Sequence, residues 1–140
     1  MESDGLKLPQ KIPTTIITGF LGSGKTTILN DIINYKEFKN TLLIINEFGK
    51  ISIDHHLIKK KSDDKIVLNN GCLCCSFSGD LVKTLDDTLK LKKKFDRIII
   101  ETSGLADPVP IVQTIVSDQI ISEKIKFKSL ITVVDSVNFQ

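Results

Sequence analysis

The run Gly19-Phe20-Leu21-Gly22-Ser23-Gly24-Lys25-Thr26 constrains this 140-residue chain more than any other stretch. It has the spacing G-x-x-x-x-G-K-[ST] and lies between two segments of different periodicity. Before it, the β-branched Thr14-Thr15-Ile16-Ile17-Thr18 reads as a buried strand. After it, Ile28, Leu29, Ile32 and Ile33 form the apolar stripe of a helix running from about Lys25 to Tyr35. A glycine-rich turn between strand and helix is built for anion capture, because Gly19, Gly22 and Gly24 let successive backbone N–H groups, that of Ser23 among them, curl inward. The helix adds its unpaired donors and the positive end of its dipole. A polyphosphate suits such a loop: Lys25 would reach the β- and γ-phosphates, the Thr26 hydroxyl would sit on a bridging Mg²⁺, and Thr27 would cap the helix or meet the α-phosphate side. The plain alternative is a glycine turn that merely begins a helix.

At 41% apolar residues the chain can build one core, and a second domain is not expected. Nineteen basic residues against seventeen acidic ones give a net charge of +2, too balanced to imply nucleic acid or a membrane surface as partner. The lysine runs 59–61 and 92–94 read as solvated surface. No apolar leader or membrane-length segment is present, so a cytoplasmic protein is expected. In a reducing compartment the three cysteines, all within Cys72-Leu73-Cys74-Cys75, call for local chemistry rather than disulfides linking distant parts of the fold.

Residues 1–11 read as a flexible terminus, and residues 12–140 as one domain. Continuous apolar runs predict further buried strands at Thr41 to Asn46, Ile66 to Leu68, Arg97 to Glu101 and Leu130 to Asp135. Between them lie a helix with Leu81, Val82, Leu85 and Leu89 inward and Lys83, Asp86, Asp87 and Lys90 in water, and a second helix starting at Asp107-Pro108 with Ile111, Val112, Ile115 and Val116 inward. The alternation predicts an α/β fold: a mostly parallel sheet with helices on both faces. In such sheets ligands bind beyond the carboxyl ends of the strands. The polar clusters all fall at those ends, so they should share one rim. The chain stops five residues after Asp135, which reads as a truncated domain.

Taken in order, Gly19 to Thr27, Asn46-Glu47-Phe48-Gly49, Gly71-Cys72-Leu73-Cys74-Cys75, Glu101-Thr102-Ser103-Gly104-Leu105-Ala106-Asp107-Pro108 and Val133-Val134-Asp135 resemble the CobW branch of the CobW/HypB/UreG family of P-loop GTPases. The resemblance runs from about Ile12 to Phe139. It implies a P-loop NTPase fold and a GTP-hydrolysing metallochaperone that uses GTP, Mg²⁺ and Zn²⁺. Lys25, Glu101 and Gly104 would serve catalysis, with Glu101 and Gly104 forming an E-x-x-G element that senses the γ-phosphate. Cys72, Cys74 and Cys75 would bind zinc, Thr26 would bind magnesium, and Glu47 and Asp54 would belong to the first switch and offer further metal ligands. The implied partner is a client zinc metalloenzyme, which in similar eukaryotic members is methionine aminopeptidase; a homo-oligomer is left open. The family's N-K-x-D guanine motif and its C-terminal domain fall outside this sequence, so GTP rather than ATP rests on the resemblance.

Three thiolates in four residues suit Zn²⁺ or Cu(I), and an open site completed by Glu47, a histidine or water would allow exchange. The C-x-x-C spacing of Cys72 and Cys75 keeps a thiol–disulfide switch open as an alternative, and inert burial is a third. His55 and His56 are either further ligands or exposed loop residues. Glu101 either orients the attacking water, holds a magnesium-bound water, or is a solvated strand-end carboxylate. Two other functions compete with the GTPase: a P-loop kinase or ATPase with incidental cysteines, and a non-catalytic metal-binding module.

Overall fold

The computed structural model describes residues 10–46, 65–68, 77–90 and 95–138. Five strands, β1 (Ile12–Thr18), β2 (Thr41–Asn46), β3 (Lys65–Leu68), β4 (Arg97–Glu101) and β5 (Ile125–Thr132), form one sheet in the order β3-β2-β4-β1-β5. Every neighbouring pair is parallel. Among the described residues four helices accompany them: α1 (Lys25–Ile32), α2 (Phe77–Leu89), α3 (Val109–Ser117) and α4 (Gln119–Lys124), with a 3₁₀ turn at Lys36–Phe38.

That order explains how the apolar residues are shared out. The chain moves one way along the sheet from β1 to β2 to β3, then turns back through β4 to β5. Because parallel crossovers are right-handed, α1 must cover one face and α2, α3 and α4 the other. The core divides accordingly. Ile16, Leu42, Ile44, Ile98 and Ile100 pack with Leu81 and Leu85 of α2, Ile111 and Ile115 of α3 and Ile121 of α4. Ile17, Leu43, Ile45 and Ile99 pack with Leu29 of α1. Successive strand residues thus serve opposite layers, which is why the middles of β2 and β4, Leu42 to Ile45 and Ile98 to Ile100, are continuously apolar. Each fully buried Ile or Leu contributes roughly 1.5–3 kcal/mol.

Several boundaries differ from expectation. The last strand begins at Ile125 rather than Leu130 and ends at Thr132 rather than Asp135. As an edge strand only β1 holds it, and its first half alternates Ile125 and Phe127 inward with exposed Lys126 and Lys128, a period-two signal instead of an apolar run. Helix α4 was not expected; Asp118 starts it by accepting the N–H of Ile121 at 2.9 Å. Pro108 caps α3 from outside rather than occupying its first position, while Asp107 accepts the N–H of Val109. Helix α1 ends at Ile32, short of Tyr35.

The inward stripes also need correction. Ile28 and Val116 are exposed, while Thr114 is buried and donates to the Pro110 carbonyl at 2.9 Å. Asp86 is not a free water-facing carboxylate. It is half-buried between α2 and α4, bonded to Lys124 and to Lys90 one turn along its own helix. The Lys124 bond first, and the Lys90 bond second, hold its carboxyl below the usual Asp value. The same contact raises Lys90.

Candidate functional site

The loop from Gly19 to Gly24 leaves β1 with three glycines at positive φ: 145° at Gly19, 78° at Gly22 and 93° at Gly24. Gly24 is the residue on which α1 begins, and no side chain caps that end. The first turn of α1 carries no acidic residue. The first N–H groups of a helix cannot be satisfied within it, which suits this end to an anion. The requirement at Gly19 is steric as well: a Cβ there would lie 2.3 Å from the Val133 carbonyl oxygen. The side chains of Phe20 and Leu21 point away from the protein, so the loop offers its backbone inward.

Lys25, the first residue of α1, is only 7% exposed. Its ammonium folds back over the loop and donates to the carbonyl oxygens of Gly19 at 2.7 Å and Phe20 at 3.0 Å. Thr26, next along the helix, donates its hydroxyl to Oε1 of Glu101 at 2.9 Å. Glu101 is buried at the end of β4, paired in register with Ile17 of β1. Thr27 is exposed and makes no capping bond, contrary to one of the two roles expected of it.

The seam between β1 and β4 is where the chain's connections diverge. The segment after β1 crosses to the α1 face, and the segment after β4 crosses to the opposite face. A crevice at such a point, beyond the carboxyl ends of the strands, is where open α/β sheets take their ligands. The Ser103-Gly104 turn lies directly on the loop here. A Cβ on Gly104 would come within 2.4 Å of the Leu21 nitrogen and 2.6 Å of its Cα, so only glycine permits this approach. The hydroxyls of Ser23 and Ser103 are both buried without a hydrogen-bond partner among the described residues.

The structure thus brings together Gly19, Gly22, Ser23, Gly24, Lys25, Thr26, Glu101 and Gly104 along one edge. Arg97 begins β4 at the opposite edge, its guanidinium 4.5 Å from the centre of the Phe38 ring. Glu47, Asp54, His55, His56, Cys72, Cys74 and Cys75 lie outside the described residues. Among the described residues no group of three or more His, Cys, Asp or Glu could hold a metal ion. Asp135, just after β5, accepts from Asn138 and from the Val137 N–H, and these bonds lower its pKa in that order.

Two features at the rim escaped the sequence reading. The buried hydroxyl of Thr102 donates to that of Thr18 at 3.0 Å, joining residues 84 apart in the chain. The Thr18 carbonyl in turn accepts the Val133 N–H at 2.8 Å. The signal in the sequence was slight: Thr18 closes one apolar run, and Thr102 follows Glu101 just past the end of another.

Sheet order, seam and loop together define a P-loop nucleotide-binding domain of the α/β class. Comparison with known proteins narrows this. Residues 13–140 match the nucleotide-binding domain of CobW/HypB/UreG, and the chain belongs to that family. It is 41% identical over 131 residues to the zinc chaperone YjiA of Escherichia coli, covering 91% of this chain and 41% of that protein. It is 34% identical over 133 residues to zinc-regulated GTPase metalloprotein activator 1 of Schizosaccharomyces pombe, covering 91% of this chain and 32% of that one. The crystal structure of zinc-bound YjiA GTPase from E. coli superposes with a TM-score of 0.59 at 26% identity, over 88% of this chain and 40% of that chain. The chain therefore spans well under half the length of the relatives it matches.

Proposed function

We propose that this chain is the nucleotide-hydrolysing part of a GTP-dependent metallochaperone, which binds zinc through Cys72, Cys74 and Cys75 and passes it to a client zinc metalloenzyme. The observation that carries the reading is the Thr26–Glu101 pair: a helix-borne hydroxyl and a buried strand-end carboxylate, 2.9 Å apart, beside a phosphate loop at the seam of the sheet. The names of the relatives, zinc chaperone and zinc-regulated GTPase activator, support it. Their eukaryotic branch makes methionine aminopeptidase the client to test. A thiol cluster that must stay reduced to hold metal suits the cytoplasm. Among the described residues, no helix is long and apolar enough to cross a membrane.

The chemistry follows from the residues. Backbone N–H groups of the loop and of the start of α1 bind the phosphates, and Lys25 adds a point charge that offsets their repulsion. The Thr26 hydroxyl is a hard oxygen donor, which suits Mg²⁺, and Thr26 is the residue that would hold it. When bound, that ion would neutralise charge on the phosphate oxygens. Glu101 accepts a hydrogen bond from the attacking water and so orients it. Gly104 presents its backbone N–H to the γ-phosphate, because the missing side chain lets the E-x-x-G element close on Leu21. No cationic finger is present at this edge among the described residues, so basal hydrolysis should be slow.

The cysteines follow β3, whose end at Leu68 pairs with Asn46 of β2 along the same edge as the phosphate loop. That placement of the preceding strand supports coupling between nucleotide and metal. Linkage makes any such coupling mutual. The test is to measure zinc dissociation constants with GDP and with a nonhydrolysable GTP analogue, in the wild type and in Lys25→Ala. The expected result is a zinc affinity that differs between the two nucleotides in the wild type, with zinc binding retained and hydrolysis lost in the variant. Equal zinc affinities would refute the coupling. Phosphoryl transfer to an added acceptor with no response to zinc would favour a kinase.

A further inference from the structure

Thr102 is 1% exposed and belongs to neither the loop nor the set of residues expected to touch nucleotide. Its backbone N–H donates to the Ile17 carbonyl at 2.9 Å, extending the β1–β4 ladder one residue past the end of β4. Its hydroxyl donates to Thr18 Oγ1 at 3.0 Å and lies 3.5 Å from the same Ile17 carbonyl. Strand alternation puts these hydroxyls on the sheet face opposite Glu101, whose carboxylate meets Thr26 of α1. The carboxyl end of β4 is thus held on both faces, to α1 by Thr26–Glu101 on one and to β1 by Thr18–Thr102 on the other. Thr18 is also tied to the segment after β5, through Val133.

We infer that Thr102 is a positioning residue for Glu101: its hydroxyl bond to Thr18 locks the end of β4 to the root of the phosphate loop, so that movement in the E-x-x-G element starts after Thr102 and leaves Glu101 in place. The inference rests on the GTPase reading and refines it. Glu101 is the fixed member of the element and Gly104 the movable one. Ser103 is where the two part, since past Thr102 the ladder to β1 makes no further bond among the described residues. A buried hydroxyl pair suits this task because it is short, directional and shielded from competing water.

The experiment compares the full-length wild type with Thr102→Val, which keeps the shape and removes the donor, and Thr102→Ser, which restores it. Steady-state GTP hydrolysis, the affinity for a fluorescent GTP analogue with and without Mg²⁺, and thermal unfolding are all measured. The expected result for Thr102→Val is a kcat lowered roughly ten- to a hundredfold, the scale of a small misplacement of a catalytic group. Its nucleotide affinity in Mg²⁺ should stay within about twofold, and Thr102→Ser should recover most of the rate. The Thr18→Val variant, which breaks the same bond from the other side, should lose kcat similarly and add little to Thr102→Val in the double variant. A folded Thr102→Val with wild-type kcat would overturn the inference. So would a loss shared equally between affinity and rate, or Thr102→Ser as impaired as Thr102→Val. A wild type that binds nucleotide without hydrolysing it would overturn the GTPase reading instead; positioning would then be read from the Mg²⁺ enhancement of nucleotide affinity, which Thr102→Val should reduce and Thr102→Ser should not. An unchanged enhancement would sink it there too, and a wild type that binds no nucleotide would sink both.

Discussion

Adding a single methyl group at Gly104 tests the contact on which the closed rim depends. In Gly104→Ala the new Cβ would lie 2.4 Å from the Leu21 nitrogen and 2.6 Å from its Cα, and both of these are backbone atoms that cannot swing aside. An unstrained contact needs about 3.5 Å, so either the phosphate loop or the Ser103-Gly104 turn must give by about 1 Å. Overpacking of this kind typically costs about 1–3 kcal/mol. If the loop yields, its N–H groups no longer converge, and the loss appears as nucleotide affinity weakened roughly 5- to 150-fold, at 1.36 kcal/mol per factor of ten. If the turn yields, the loop keeps its hold and GDP affinity is spared, but the Gly104 N–H leaves the γ-phosphate and the strained native state unfolds earlier, by about 3 °C per kcal/mol for a domain of this size. Titration with fluorescent GDP and GTP analogues and thermal unfolding by circular dichroism separate the two. A Gly104→Ala protein with wild-type affinity and wild-type melting temperature would refute the reasoning, since the methyl group would then have found room that the structure denies it.

The Asp86 clasp should make stability sensitive to acid. Its pKa is depressed in the folded state, so the contribution is present above the ordinary Asp value and is lost as pH falls through the lower folded value. Denaturant unfolding should therefore show the gap between wild type and Asp86→Asn narrowing below about pH 4, and a gap independent of pH would contradict the clasp. In the core, Leu85→Ala removes a fully buried side chain from the α2 layer and should cost about 2–5 kcal/mol in chemical denaturation without altering the phosphate loop. A cost under 1 kcal/mol would show that the layer collapses to fill the space.

What could be read from the sequence was local. Strands β2 and β4 fall on the expected residues because both of their faces are dry, and nothing but a continuous apolar run fits there. The phosphate loop was legible because its glycines answer a backbone requirement that other residues do not meet. Strand β5 was misjudged at both ends for the opposite reason: half its surface faces water, and its lysines interrupt the run. Asp86 and Thr102 were missed because their partners, Lys124 and Thr18, are 38 and 84 residues away and no spacing rule reaches them. The juxtaposition of Thr26 with Glu101 followed from the family resemblance and from the rule about strand ends, and the 2.9 Å bond gives it an atomic form.

Strand β4 carries a further consequence. Its middle, Ile98-Ile99-Ile100, consists of three identical side chains that fill both layers of the core alike. A slip by one residue would still put isoleucine at two of these three places, whereas slippage normally throws a whole face into water; the third place, fully buried, would have to take Arg97 or Glu101. The information that forbids it sits at the two tips: Arg97 stacked on Phe38 at one and Glu101 hooked to Thr26 at the other. The carboxylate proposed for catalysis is therefore also an alignment pin, and a chain that lost it would lose one of the two marks by which its central strand knows where to stop.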